Sequence, residues 1–94
     1  MFTYVALLKL TPEGRETLKE AKKHLAEIEK IVVGEKGEIE QTFAMMGPWD
    51  FFAIVKYPTV EAAFRAHAKV AALEVLETET FPVEEVELFI RALV

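Results

Sequence analysis

Ninety-four residues, 52% of them hydrophobic, make one domain with room for a packed core and none for a second. Zero cysteines exclude disulfides, thiolate nucleophiles and the usual structural zinc sites, and zero serines exclude serine-hydrolase chemistry. A net charge of −5 argues against a nucleic-acid surface, which needs a basic stripe to displace counterions from phosphates.

The N-terminal run MFTYVALLKL shows neither a basic leader nor a small-residue cleavage site and reads as a strand over Phe2–Leu10, so a cytoplasmic location is the expectation. Its alternating sets, Phe2, Tyr4, Ala6, Leu8 and Leu10 against Val5 and Leu7, are both largely apolar, so neither side is suited to water. Thr11-Pro12-Glu13 then supplies an N-cap, a proline at the first helical position and an acid at the positive helix end. Leu18, Ala21, Leu25, Ile28 and Val32 follow at steps of three and four, which predicts one long amphipathic helix ending near Gly34. Its basic cluster KEAKKH, Lys19 to His24, alternates with Glu16, Glu20 and Glu27 and reads as a solvated face.

Gly37 opens a second strand predicted through Met46, and Phe51–Tyr57 forms a third, with Pro58 just beyond. Thr59 caps a second helix on which Val60, Ala63, Phe64, His67 and Ala71 share one face, with Arg65 and Lys69 opposite. A fourth strand is predicted at about Val75–Phe81, after which Pro82 introduces Val83, Val86, Phe89, Ile90 and Leu93 at helical spacing. No run reaches the roughly 20 apolar residues of a membrane span. Fifteen Glu against one Asp, and no Asn, is a bias that heat-adapted organisms often show.

The order β-α-β-β-α-β plus a terminal helix is that of a ferredoxin-like α+β sandwich. Right-handed crossovers put both long helices on one face of the sheet. The other face keeps apolar side chains from several strands, more than a soluble monomer leaves wet. The terminal helix is expected to fold back over it, and a second copy to cover it, sheet against sheet, in a homodimer or higher homo-oligomer.

Between QTFAMM and FFAIVKY stands Gly47-Pro48-Trp49-Asp50, with the only Trp and the only Asp of the chain. A tight hairpin ordinarily uses Asn-Gly or Asp-Gly instead. Pro48 suits the second position of a type I turn, and Asp50 can hold the loop by accepting backbone N–H bonds. Trp49 joins a large apolar ring to an N–H that needs a partner, so its expected neighbour is another subunit, ahead of a ligand pocket or its own chain.

TYVALLKLTPEG, the long helix, MGPWDFFAIV and VLETETF together resemble the GYD-domain proteins over about Thr3 to Phe81. The name-giving Gly-x-Tyr-Asp corresponds to Gly47-Pro48-Trp49-Asp50, where tryptophan keeps an aromatic ring and removes the hydroxyl. LEVLETET departs a second time, since the family often has a glycine before that strand. The resemblance implies a dimeric α/β barrel and no particular reaction. A weaker resemblance, in strand order and the Gly-x-x-Asp hairpin, is to the ligand-sensing domain of Lrp/AsnC regulators, which implies small effectors bound at subunit interfaces.

His67, within an apolar stripe, reads first as a buried neutral imidazole with one hydrogen bond and second as a ligand contact or general base. His24 reads as a surface residue, and convergence of the two histidines on a metal is not expected. Phe43, Met45 and Met46 read as core; if a pocket exists, they and Tyr4 are its expected walls. Thr78 and Thr80 share one side of the last strand, with Glu77 and Glu79 on the other; the threonines are strand formers first and ligand contacts second.

The candidate ligand or interface residues are therefore Tyr4, Phe43, Met45, Gly47, Trp49, Asp50, His67, Thr78 and Thr80, with no catalytic residue, metal or cofactor assigned. The leading function is a non-enzymatic dimeric module that binds a small metabolite between subunits. Its competitors are a cofactor-independent monooxygenase or isomerase, by analogy of architecture alone, and a purely structural assembly unit. RNA binding through the sheet ranks last, because DFFAIVKY lacks the glycine and basic residue of that motif and the charge is wrong.

Overall fold

The computed structural model describes residues 1–94. Strand β1 (Phe2–Leu10) lies inside a four-stranded antiparallel sheet, between β3 (Phe51–Tyr57) and β4 (Leu76–Val83), with β2 (Glu38–Ala44) outside β3. The order β2-β3-β1-β4 is the ferredoxin-like one, and the sheet is open rather than closed into a barrel. No helix is long and apolar enough to cross a membrane.

Period-two alternation assigns the strands' side chains to two faces. On the covered face Tyr4, Ala53, Val55 and Tyr57 pack with Val32 of α2 (Ala21–Gly34) and Ala62, Ala63 and Ala66 of α3 (Val60–Ala72). Leu8, Ile28, Val70 and Leu76 form a second cluster alongside. Each sealed Val, Leu or Ile contributes about 1.5–3 kcal/mol.

The long first helix is interrupted. Residues Pro12–Glu16 form α1, Leu18–Glu20 a single 3₁₀ turn, and α2 begins only at Ala21. Two observations account for the break. At Thr17 the hydroxyl donates back to the Glu13 carbonyl at 2.9 Å, a local bond that competes with regular helix. The turn at Gly14 is also pressed so close to the start of β4 that an added Cβ would stand 2.2 Å from the Val75 carbonyl oxygen. Helix α1 is thus seated against the segment that leads into β4. The N-cap itself is as expected: Thr11 Oγ1 accepts from the Gly14 N–H at 3.1 Å. Leu18 and Leu25 of the predicted stripe remain exposed, whereas Ile28 and Val32 are sealed.

Helix α2 does end at Gly34, but the left-handed residue that closes it is Lys36 (φ 61°). The Lys36 and Gly37 N–H groups return to the Val33 and Val32 carbonyls, a Schellman closure. On α3, capped as expected by Thr59 Oγ1 on the Ala62 N–H, the predicted apolar face is rotated. The buried residues are Ala62, Ala63, Ala66 and Val70, while Val60, Phe64 and Ala71 are exposed. Alanines let the helix lie close over the Tyr4 and Tyr57 rings, and larger side chains are turned outward.

Strand β2 stops at Ala44, two residues before the predicted end, and Met45 to Asp50 form a six-residue connection in which the Met45 N–H meets the Asp50 carbonyl at 2.8 Å. Within β2 the register slips by one between Ile39 and Gln41, leaving Glu40 as a bulge. Ile39 therefore packs in the covered core, whereas Phe43, of the same parity, opposes Phe52 on the other face. There Val5, Leu7, Phe52 and Ile54 are half-buried, and Phe43 and Phe81 are exposed.

Strand β4 runs on through Pro82 to Val83, so Val83 belongs to the sheet and not to the final helix. A proline fits there because β4 is an edge strand. Helix α4 (Val86–Ala92) borders the open face through Leu88 and Arg91, beside Val5 and Ile54, but does not close it. Val86, Phe89, Ile90 and Leu93 are all more than half exposed.

Candidate functional site

Helix α3 and edge strand β4 part toward the Tyr4 end of the sheet, and the space between them is a groove of about 320 Å³. Tyr4, a neighbour of Pro82 in the β1–β4 register, is only 6% exposed and forms its floor. From α3 come Val60, Phe64 and His67, three residues on one helical stripe, and from β4 Thr80 and Pro82. Ala63 completes the lining. The stripe expected to enter the core is thus a wall of the groove, with Phe64 71% exposed.

His67 Nδ1 and Thr80 Oγ1 lie 3.1 Å apart, bridging helix and strand. His67 is half-buried with one such bond, and it also borders a 50 Å³ crevice beneath, lined in part by Thr78 and Thr80. Of the nine sequence candidates, Tyr4, His67 and Thr80 meet in the groove and Thr78 adjoins it. Val60, Phe64 and Pro82 were not among them. The signal for the first two was present as an i, i+4 pair beside His67, but it reads equally as core.

The other five candidates lie elsewhere. Phe43 stacks on Phe52 on the open face, with ring centroids 5.4 Å apart and planes at 18°. Met45, Gly47, Trp49 and Asp50 belong to the β2–β3 connection near the Leu10 end of β1, about 20 Å along that strand from Tyr4. Gly47 has φ 140°, a conformation that favours glycine, and Trp49 is half-buried. The backbone N–H that the Asp50 carboxylate accepts comes from β1. Oδ2 of Asp50 accepts the Leu10 N–H at 2.8 Å and the Asp50 N–H donates to the Leu8 carbonyl at 2.9 Å, which ties the connection to β1. Met46, expected in the core, is fully exposed. His24 Nε2 is 3.0 Å from Thr17 Oγ1, and no group of three metal-ligating side chains is present.

No Lys, Arg, Asp or Glu lines the groove. Glu35 receives Arg65 Nε and Lys69 Nζ, each at 2.7 Å, on the far side of α3, and these bonds hold its carboxyl below the usual range. Tyr57, edge-on to Tyr4 at 5.7 Å, has its phenol pushed up to about 12, first by burial and then by the nearby Glu35. On the open face Lys56 pairs with Glu40 at 2.8 Å, which raises its ammonium.

The family model of the GYD domain matches residues 4–93. Among solved structures, FFRP-DM1 superposes with a TM-score of 0.62 at 17% identity, covering 89% of this chain and 100% of that one. Ribosomal protein S6 of the 30S subunit from Thermotoga maritima gives 0.62 at 17%, covering 98% and 96%. A homoserine dehydrogenase from Thiobacillus denitrificans gives 0.63 at 18%; 88% of this chain is covered, but the match spans only 17% of the dehydrogenase. At these identities the likeness is one of fold. No curated protein matches the chain.

Proposed function

The chain belongs to the GYD-domain family, and on that footing we propose that it is a homo-oligomeric, non-enzymatic module that holds a small metabolite in the groove between α3 and β4. One observation carries this reading: Tyr4, His67 and Thr80, remote in sequence, converge on a cavity that is mostly apolar with a few polar groups, the usual make-up of a small-molecule site. The groove lies on the helix-bearing side of the sheet and within one chain. A second copy covering Val5, Leu7, Phe52 and Ile54 on the opposite face leaves it accessible.

A native mass spectrum of the purified protein, followed by a denaturing one, tests both halves. A dimer or larger assembly that releases a discrete small mass is the expected result. A bare oligomer favours a purely structural unit, and a bare monomer at micromolar concentration removes the oligomer. The enzyme reading draws on His67 at the groove wall, because Asp50 is committed to Leu10. Unchanged turnover of candidate quinols by His67→Gln would remove that histidine from any mechanism.

A further inference from the structure

Resting on the groove as the binding site, we infer that its ligand is an uncharged planar ring compound bearing a hydroxyl or carbonyl group, and not an amino acid or another ion. The lining decides this. Tyr4, Val60, Phe64 and Pro82, with Ala63 between them, supply flat aromatic and aliphatic walls, and His67 and Thr80 the polar atoms. No Lys, Arg, Asp or Glu is among them. The two basic residues of α3, Arg65 and Lys69, are both engaged on Glu35. A carboxylate or ammonium entering here would give up water without meeting a Lys, Arg, Asp or Glu side chain in the lining, which is unfavourable. A second cavity, of about 560 Å³ beside α4, makes the contrast clear, because Glu40, Lys56, Glu84, Glu85 and Arg91 all line it.

The polar pair is suited to a neutral partner of either kind. With the proton on Nδ1, His67 donates to Thr80 Oγ1; the threonine hydroxyl is then free to donate and Nε2 to accept. In the other tautomer Thr80 donates to Nδ1, leaving Nε2–H as the donor and the threonine oxygen as the acceptor. Either way the pair offers one donor and one acceptor, with the roles exchanged. A hydroxyl or a carbonyl on the ring edge is therefore satisfied without changing the charge of the protein.

The probes are 2-naphthol and its charged counterpart 2-naphthoate, titrated into the intact ¹⁵N-labelled protein while the amide shifts of Ala63, Phe64, His67 and Thr80 are followed. The expected result is that naphthol moves these amides and that naphthoate binds at least about tenfold more weakly. Thr80→Val, which keeps the shape of the side chain and removes its hydroxyl, should weaken naphthol several-fold and leave naphthalene unchanged. Naphthoate binding in the groove as tightly as naphthol would overturn the neutral-ligand assignment while keeping the groove as a site. If neither probe moves these amides at millimolar concentration, both the assignment and the groove reading fail.

Discussion

The two faces of the sheet are built from the same strands, each with an apolar centre, and they end in opposite states. Tyr4, Leu8, Ala53 and Val55 are sealed under α2 and α3; Val5, Leu7, Phe52 and Ile54, interleaved with them, stay half open. Composition does not separate the two sets. What separates them is that both crossovers turn to the same side, so a ferredoxin-like chain has helices for one face only. The open face is thus a consequence of topology, and its apolar content has to be accounted for by something outside the covered core.

Adjacent residues of β3 put this contrast to the strongest test. Val55→Ala, on the sealed face, should cost about 2–3 kcal/mol in urea unfolding at any protein concentration. Ile54→Ala, next to it on the open face, should cost under about 1 kcal/mol in the monomer. It should instead raise the dissociation constant of the oligomer about tenfold, read by analytical ultracentrifugation. A concentration-independent loss at Ile54 equal to that at Val55 would mean that the open face is closed by its own chain.

Asp50 ties the β2–β3 connection to β1 at the Leu10 end, and its expected effect is smaller. Asp50→Ala leaves the Leu10 N–H without its charged acceptor, which should cost about 1–3 kcal/mol. Because the bond orders the backbone of the central strand, unfolding and oligomer dissociation should both shift. An effect confined to proteolysis of the Met45–Asp50 connection would restrict Asp50 to the loop role expected of it from sequence.

Lys56 and Tyr57 extend the contrast to pH. The Tyr57 phenol ionises near 10 in the unfolded chain and near 12 when folded, because burial opposes the phenolate. Its contribution to stability is therefore full below pH 10 and is lost as the pH rises toward 12. Lys56, raised by Glu40, changes in the same direction, but as an exposed pair it has little leverage. Tyr57→Phe should accordingly flatten most of the alkaline slope, measured as unfolding midpoints between pH 9 and 12. A slope that persists would mean that groups other than Tyr57 carry it.

What was legible in the sequence was local. Strand β3 falls where its apolar run and Pro58 predict, and Thr11 and Thr59 cap the helices they precede, because such signals act within a few residues. The face of α3 was misread because large apolar residues draw attention, whereas a helix packed close over two tyrosine rings admits only alanines there. Phe43 was misplaced because one extra residue at Glu40 reverses its side, and a bulge leaves no mark in the period-two pattern. Tyr4, His67 and Thr80 could each be named in advance. Their meeting depends on the register of β1 on β4 and on the tilt of α3, which no spacing encodes.

The smallest predicted effect concerns the second departure from the family pattern. Glu74 follows the last turn of α3 with φ 62°, the left-handed conformation in which glycine is usual, and its N–H closes on the Ala71 carbonyl. A side chain in that conformation is strained by about 1–2 kcal/mol, part of which glycine would return through the greater freedom of the unfolded chain. Glu74→Gly should therefore raise stability by about 0.5–1 kcal/mol. The tie that matters at this corner survives the change, since Thr11 bonds to the Glu74 carbonyl at 2.6 Å and to that of Val75 at 3.2 Å, both backbone atoms. The corner sets where β4 leaves α3 on the covered side, so the gain should appear in chemical unfolding and leave the oligomer dissociation constant unchanged. A shift in that constant would show instead that the corner communicates with the open face through β4.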